Sequence, residues 1–264
     1  MQIQVDLPPT FNEKVRGTRG PATGLWVCSG SDSAAEILSL SGAEWLLIDG
    51  EHSPVGLETI TSMLRAVAAG SATPVVRVPV LDTTLIKQYL DLGAQNIMVP
   101  MVHTGEDAAH AVAAMHYPPK GIRGVGSALA RSSRWNRVSG YLDNASETVS
   151  LTVQIESDRA VRNCEAIANT DGVDAVFIGP SDLAASMGLL GKQTHPDVLE
   201  RVYQCIDVVQ KSGKLVGVNA FDLDQAREYV RSGVDFVAVG ADVQILASQS
   251  QVLANTFKDG NQGS

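Results

Sequence analysis

Acidic side chains follow apolar runs at points in the sequence where a buried strand would end. Asp49 closes one such run, Glu156 closes a second, and Asp182 follows a third. Two carboxylates at neighbouring strand ends can share a hard cation such as Mg²⁺ or Mn²⁺ and leave positions open for water and substrate oxygens. Without a cation, Glu156 would be a costly unpaired buried charge. We therefore predict that Glu156 and Asp182 bind a metal ion; an acid pair or helix caps are the alternatives.

A histidine follows the first of these carboxylates in the segment Asp49-Gly50-Glu51-His52. Imidazole exchanges protons near neutral pH, and a nearby carboxylate would fix its tautomer and orientation. The pattern predicts that His52 and Asp49 are catalytic, and the alternative is a turn whose acids cap the following helix. The other histidines lie in or beside a predicted helix or in a loop, and we expect them to be exposed: His103, His110, His116 and His195.

Arg77 stands in an otherwise apolar run. A guanidinium in a dry site is suited to hold a carboxylate or a developing oxyanion, and a structural salt bridge is the alternative. Gln154 is a further polar side chain at a predicted strand end. Gly179-Pro180-Ser181 would let backbone N–H groups at a helix start approach a substrate carboxylate. These residues are candidates for substrate binding.

These candidates need a scaffold that brings strand ends together. Short β-branched runs alternate with longer amphipathic stretches, and several runs are apolar throughout, as expected of parallel strands covered on both faces. The predicted strands are Gly24–Val27, Trp45–Asp49, Pro74–Val78, Asn96–Pro100, Leu151–Ile155, Ala175–Ile178, Leu215–Val218 and Phe236–Val239. We predict an α/β fold, a (β/α)8 barrel forming one domain over residues 1–264, with reactive groups at the carboxyl ends of the strands. A doubly wound open sheet is the alternative, but its nucleotide-binding fingerprint is missing from the sequence.

The amphipathic stretches predict helices between these strands. They run from Ser31 or Asp32 to Gly42, from Thr83 or Thr84 to Gly93, and over Thr104–Met115, Asp158–Asn169, Pro196–Ser212, Asp224–Ser232 and Asp242–Lys258. One segment, from Tyr117 to about Ser150, departs from the pattern. We expect it to be a structureless excursion that acts as a lid or a subunit contact. The polar tail Lys258–Ser264 is expected to fray.

The composition excludes several classes of protein. The formal net charge of −9 disfavours a nucleic-acid or anionic-membrane surface, because both need clustered Lys and Arg. Met1–Thr10 lacks a basic region followed by an apolar run, and no stretch of about 18 apolar residues occurs, so we expect a cytoplasmic protein. Cys28, Cys164 and Cys205 are too far apart in sequence for a metal or redox motif and are expected to be buried free thiols.

Several segments, in this order and spacing, resemble the HpcH/HpaI class II aldolases. The principal ones are Trp45–His52, Tyr117–Gly124, Val153–Glu156 and Phe177–Leu183, with further support from Gly124–Arg137 and Phe236–Gly240. The resemblance spans most of the chain. It implies a (β/α)8 barrel of the phosphoenolpyruvate/pyruvate type, in which the terminal helix, here residues 242–258, is exchanged between subunits. It also implies a homo-oligomer, with dimers assembling into hexamers.

The resemblance implies a carbon–carbon lyase that reversibly cleaves 4-hydroxy-2-oxo acids to an aldehyde and pyruvate, or a related acid such as hydroxypyruvate, in aromatic compound breakdown. Mg²⁺, Mn²⁺ or Co²⁺ would stabilise the enolate, with no organic cofactor. The imine route would need a desolvated lysine, and the predicted strand ends lack one. An oxaloacetate decarboxylase or a citramalyl-type lyase would use the same enolate. A non-catalytic keto-acid-binding protein is the alternative of a different class.

The family's roles carry over onto the matching residues. Arg77 would contact the keto-acid oxygens, Gln154 would line the pocket, and Ser181 and Asp182 would offer backbone N–H groups to the carboxylate. His52 would serve the proton transfers through water.

Two further positions follow from the resemblance. Asp91 is the match for an acidic partner of the histidine that comes from a neighbouring subunit. The family varies after the seventh strand, so Asn219 and Phe221 there are expected to contact the aldehyde end of the substrate.

Overall fold

A closed barrel of eight parallel strands forms the centre of the molecule, which we describe over residues 4–256 of a computed structural model. Each strand pairs with the next along the chain, and β1 pairs with β8. The strands are β1 (Ala22–Val27), β2 (Trp45–Asp49), β3 (Thr73–Arg77), β4 (Asn96–Val99), β5 (Ser150–Ile155), β6 (Ala175–Ile178), β7 (Leu215–Asn219) and β8 (Phe236–Ala241). The predicted (β/α)8 architecture is confirmed, and no predicted strand end is wrong by more than two residues.

Helices surround the barrel. They are α1 (Phe11–Gly17), α2 (Asp32–Ser39), α3 (Leu57–Val67), α4 (Thr83–Asp91), α5 (Gly105–Met115), α6 (Tyr141–Asn144), α7 (Asp158–Arg162), α8 (Cys164–Ala168), α9 (Pro180–Ser186), α10 (Pro196–Lys211), α11 (Leu223–Arg231) and α12 (Asp242–Thr256). The sequence patterns locate α2, α4, α5, α10 and α11. Ser31 and Thr104 cap α2 and α5 with their side-chain oxygens, as their residue types predict.

Six helices differ from the prediction. α1, α3, α6 and α9 were not predicted, although α3 buries Ile60, Met63, Leu64 and Val67 at helical spacing. The single helix predicted over Asp158–Asn169 is divided into α7 and α8 at Asn163, which leaves the helical conformation. The described part of α12 agrees with the prediction. Residues 257 and 258 at its predicted end, and the tail that was expected to fray, lie outside the described residues.

Aromatic side chains fill the barrel at the amino ends of its strands. Phe11 of α1 packs against Trp45 and Phe236 with ring centroids 5.5 and 5.0 Å apart, and Phe177 stacks on Phe236. Gly24 makes room for this cluster, because a Cβ atom there would lie 2.0 Å from the Trp45 indole. We call this end of the barrel the floor, and the open end formed by the carboxyl ends of the strands the mouth.

The segment expected to be structureless has short ordered turns. It contains 3-10 turns at Ser127–Leu129, Arg131–Ser133 and Ala145–Glu147, in addition to α6. Arg131 Nη1 donates to the carbonyl oxygen of Leu92 at 3.1 Å, just beyond the end of α4. Since α4 runs from the mouth to the floor, the segment packs at the floor and is not a lid over its own barrel. No helix within residues 4–256 is long and apolar enough to cross a membrane.

Candidate active site

A buried ion pair joins the carboxyl ends of β2 and β3. Asp49 and Arg77 are register partners, and Arg77 Nε donates to Asp49 Oδ1 at 2.9 Å. Their side chains are only 1% and 3% exposed. Burial alone would raise the pKa of Asp49, but the hydrogen bond and charge of Arg77, with backbone N–H groups of Glu51 and His52, hold that pKa below its usual value. Asp49 is therefore an ionised anchor for the arginine.

Arg77 keeps one donor free despite its partners. Nη1 lies 2.7 Å from Glu51 Oε2, and the guanidinium carbon lies 4.5 Å from the centre of the Trp26 ring. Nη2 is buried and has no hydrogen-bond partner among residues 4–256. The structural salt bridge that was the alternative role of Arg77 is therefore present. It leaves the buried Nη2 donor unsatisfied, however, which costs about 1–3 kcal/mol. An oxygen atom of a bound ligand would satisfy Nη2.

Glu156 follows β5 and is nearly inaccessible, at 3% exposure. Its Oε1 accepts the Met101 N–H at 2.7 Å, and its Oε2 accepts Gln154 Nε2 at 3.0 Å. Burial raises the pKa of Glu156 to about 7, the Met101 N–H opposes this, and the charges of Glu51 and Asp182 add to it. Within the described chain Glu156 forms no ion pair.

Two backbone positions hold this carboxylate in place. Met101 adopts a left-handed conformation with φ of 53°, unusual for a residue with a side chain, and this conformation accompanies an N–H aimed at Glu156. A Cβ atom on Gly179 would lie 2.8 Å from Glu156 Oε2, so the absence of a side chain there lets the carboxylate lie against the turn after β6. Met101 was missed by the sequence reasoning because it contributes a backbone group.

Asp182 and Ser181 lie in the first turn of α9, where both are exposed. The N-cap of this helix is Gly179, and the first N–H groups of a helix have no partner within it. The Asp182 charge raises the pKa of both Glu156 and Glu51, and all three residues follow the carboxyl ends of their strands at the mouth. For Glu51 too, burial is the largest cause of the raised pKa.

The donor set is consistent with a divalent cation at this place. No group of three His, Cys, Asp or Glu side chains arranged to hold a metal occurs in the part of the chain that the structure describes. However, Gln154 Oε1 is buried and has no partner, and it belongs to the side chain that contacts Glu156. A hard cation would relieve the repulsion among the carboxylates and could also take this amide oxygen as a ligand.

His52 lies at the rim of the mouth with 69% of its side chain exposed. Its Nε2 is 3.9 Å from Glu51 Oε1, while Asp49 contacts only its backbone N–H, at 3.4 Å. Asp49 therefore does not orient the imidazole, and Glu51 is the carboxylate beside the ring. The helix-cap alternative is also wrong, since the N-cap of α3 is Gly56.

Asp91 is the last residue of α4 and lies at the floor. Its Oδ1 accepts a hydrogen bond from Arg123 Nη2 at 2.8 Å. Within one chain it is remote from His52, so the role predicted for Asp91 requires a second subunit.

A side cavity of about 110 Å³ adjoins the mouth beside β7. It is lined by Ser181, Asn219, Phe221 and Gln225, among others. Asn219 Oδ1 and Gln225 Nε2 are buried atoms without hydrogen-bond partners in the described structure. Phe221 meets the edge of Trp26 at a centroid distance of 6.3 Å, which connects this cavity to the arginine. The alternation of side chains along β1 places Trp26 on the inner face with Gly24, a signal that could have identified it.

The remaining expectations about single residues are met in part. Among the other histidines only His110 is exposed; His103, His116 and His195 are partly buried. All three cysteines are free, but Cys28 is only half-buried, because it lies at the mouth with its sulfur 4.0 Å from Asp49 Oδ2.

Comparison with known proteins assigns this barrel and its polar mouth to a class of enzymes. Residues 22–248 match the family described as HpcH/HpaI aldolase/citrate lyase, and the chain belongs to that family. It is therefore an enzyme of the aldolase and lyase type, as predicted from the sequence.

Two similar enzymes and one similar crystal structure belong to this class. A hydroxypyruvate/pyruvate aldolase from Deinococcus radiodurans is 49% identical over 253 residues, covering 96% of this chain and 91% of the relative. A 4-hydroxy-2-oxo-heptane-1,7-dioate aldolase from Escherichia coli is 46% identical over 237 residues, 90% of each chain. The crystal structure of an HpcH/HpaI aldolase/citrate lyase family protein from Burkholderia cenocepacia has a TM-score of 0.88 and 41% identity, covering 92% of this chain and 97% of that one.

Proposed function

We propose that this enzyme cleaves 4-hydroxy-2-oxo acids reversibly into an aldehyde and pyruvate or a related 2-oxo acid. The observation that carries the proposal is the buried, unpartnered Nη2 of Arg77, close enough to Glu156 for its charge to lower the pKa of that carboxylate. A 2-oxo acid offers the oxygen atoms that such a donor needs. The names of the two aldolase relatives support the same substrate class.

The metal ion in this proposal is Mg²⁺, Mn²⁺ or Co²⁺, held by Glu156 and Asp182. When bound, the ion supplies a Lewis acid that stabilises negative charge on the oxygens of the 2-oxo acid. Glu156 must be ionised to bind the ion, and its burial opposes ionisation, so metal binding and loss of its proton are coupled.

Side chains and backbone groups of the chain bind the substrate. Arg77 binds a keto-acid oxygen through Nη2, and Asp49 fixes the guanidinium in place. The free N–H groups of Ser181 and Asp182 bind the substrate carboxylate.

The proton that moves during carbon–carbon cleavage belongs to the 4-hydroxyl group of the substrate. His52 accepts it through a water molecule, because its ring lies at the wet rim of the mouth, and a proton returned through water to C3 completes the methyl group of pyruvate.

The side cavity favours a hydroxylated aldehyde. Asn219 Oδ1 is an acceptor without a donor, and Gln225 Nε2 is a donor without an acceptor. Hydroxyl groups have both a donor that the first needs and an acceptor that the second needs. We infer that these two side chains select acceptor aldehydes that carry a hydroxyl group.

The proposed active form of the enzyme is a homo-oligomer. Every residue of α12 after Asp242 is exposed in the single chain, including the large apolar side chains of Leu246, Val252 and Leu253. Packing of α12 on a partner subunit would cover these side chains, and a hexamer built from dimers would allow Asp91 of one subunit to approach the mouth of another. Light scattering coupled to gel filtration measures the assembly.

A metal-dependence assay tests the proposed function. Pyruvate release from a 4-hydroxy-2-oxo acid should vanish with a chelator and return with Mn²⁺, and borohydride should trap no adduct with pyruvate. A covalent adduct would overturn the mechanism. If oxaloacetate released pyruvate much faster than the hydroxy-oxo acids, the enzyme would be a decarboxylase using the same site.

A further inference from the structure

A second cavity lies at the floor, at the opposite end of the barrel from the mouth. Its volume is about 260 Å³. Its lining is divided: Leu64, Val67 and Pro74 provide an apolar wall, while Arg131 and Arg134 provide cationic side chains at the other side, beside Gly93.

The two guanidinium groups converge on Gly93. A Cβ atom built there would lie 2.7 Å from Arg131 Nη1 and 3.1 Å from Arg134 Nη1, so these nitrogens are at most 5.8 Å apart, the sum of the two distances. Gly93 has a φ of 92°, which a residue with a side chain adopts only under strain, and glycine also leaves this space free. A carboxylate or phosphate group can bridge two donors at such a separation.

These arginines have no acidic partner. Neither forms an ion pair within residues 4–256, and each donates one hydrogen bond, to a carbonyl oxygen: Arg131 to Leu92 and Arg134 to Arg131. Burial, together with the nearby charges of Arg134 and Arg65, lowers the pKa of Arg131 to about 10. Arg131 has a structural role at the carboxyl end of α4, where a cation is favourable. That role does not account for the second half-buried arginine beside it.

We propose that the floor cavity binds a small organic oxyanion, a carboxylate or phosphate head group on a short apolar body. The head group lies between the guanidinium groups of Arg131 and Arg134, where charge-assisted hydrogen bonds use their free donors. The body packs on Leu64, Val67 and Pro74. This site is separate from the mouth and does not depend on the proposed aldolase activity.

Calorimetry on the full chain tests the site, with a chelator present so that the metal site at the mouth is empty. The probes are inorganic phosphate, which has the head group alone, and butyrate, which adds an apolar body. For whichever probe binds to wild type, Arg134→Gln should raise the Kd about tenfold or more, because one charge-assisted interaction is lost. Arg137→Gln is the matched control, since this exposed arginine of the same segment does not line the cavity.

Saturable binding of either probe that is weakened by Arg134→Gln and unchanged by Arg137→Gln supports the site. Absence of binding by both probes, or equal binding in wild type and Arg134→Gln, overturns it. If Arg134→Gln fails to fold, Arg134→Lys replaces it: the charge stays but the planar fork is lost, so binding of the probe should still weaken, and binding equal to wild type overturns the site.

Discussion

Replacing Glu156 with Gln should remove a pH-dependent loss of stability from the metal-free enzyme. Burial raises the pKa of this carboxyl group from 4.5 to about 7. The folded protein therefore binds the proton more tightly than the unfolded chain does. The stabilisation is complete below pH 4.5 and is lost as the pH rises through 7, and its total size is about 3 kcal/mol.

The E156Q variant lacks this titration. Its new side-chain amide can still accept the Met101 N–H, and rotation of the Gln154 amide would turn the unpartnered Gln154 oxygen toward that new group. Relative to wild type, E156Q should therefore gain about 2.5 kcal/mol between pH 5 and pH 8, because roughly 0.8 kcal/mol of the wild-type stabilisation is already lost at pH 5. For a chain of this size that corresponds to a difference in Tm of roughly 5–10 °C.

Thermal unfolding in the presence of a chelator at several pH values measures the effect. Glu165→Gln is the control, because that carboxylate is exposed on α8 and its loss should leave the wild-type pH profile unchanged. Adding Mn²⁺ at pH 8 should raise the Tm of wild type and not that of E156Q. A difference between E156Q and wild type that stays constant from pH 5 to pH 8 would refute the reasoning.

Three further substitutions test the mouth. Arg77→Lys keeps the charge but loses the planar fork, so kcat/KM for pyruvate release should fall about 10- to 100-fold; an unchanged value removes Arg77 from substrate binding. His52→Ala should lower kcat about 100- to 10,000-fold, while the metal affinity measured by calorimetry stays unchanged. The control variant His110→Ala should have the kcat of wild type. Asn219→Ala should reduce the preference for hydroxylated over unsubstituted aldehydes about tenfold without changing pyruvate proton exchange, and an unaltered preference contradicts the acceptor assignment.

The strand-end residues were predictable because a parallel barrel places them by topology alone. Asp49, Arg77 and Gln154 are polar at the carboxyl ends of apolar strands, and Glu156 follows directly, so counting strands was sufficient to bring them together. Their partners were harder to assign. Proximity in sequence leaves both Asp49 and Glu51 as possible partners of His52, whereas the register across β2 and β3 places Asp49 beside Arg77.

Two features of the structure carry little sequence signal. Met101 acts through a backbone N–H in a left-handed conformation, and nothing about a methionine side chain indicates that conformation. The short turns between Tyr117 and Ser150 were also not predicted, because three 3-10 turns of three residues each are too short to show periodicity. The floor location of Asp91, by contrast, follows from the direction of α4.

The aromatic floor has a kinetic consequence. Because Phe11, Trp45 and Phe236 close the lower end, substrate and both products of the proposed reaction share one entrance. In the proposed site, pyruvate at the buried Arg77 would lie below an aldehyde near the partly exposed Phe221, so the aldehyde would depart first. Pyruvate should then inhibit competitively against the hydroxy-oxo acid, and the aldehyde noncompetitively.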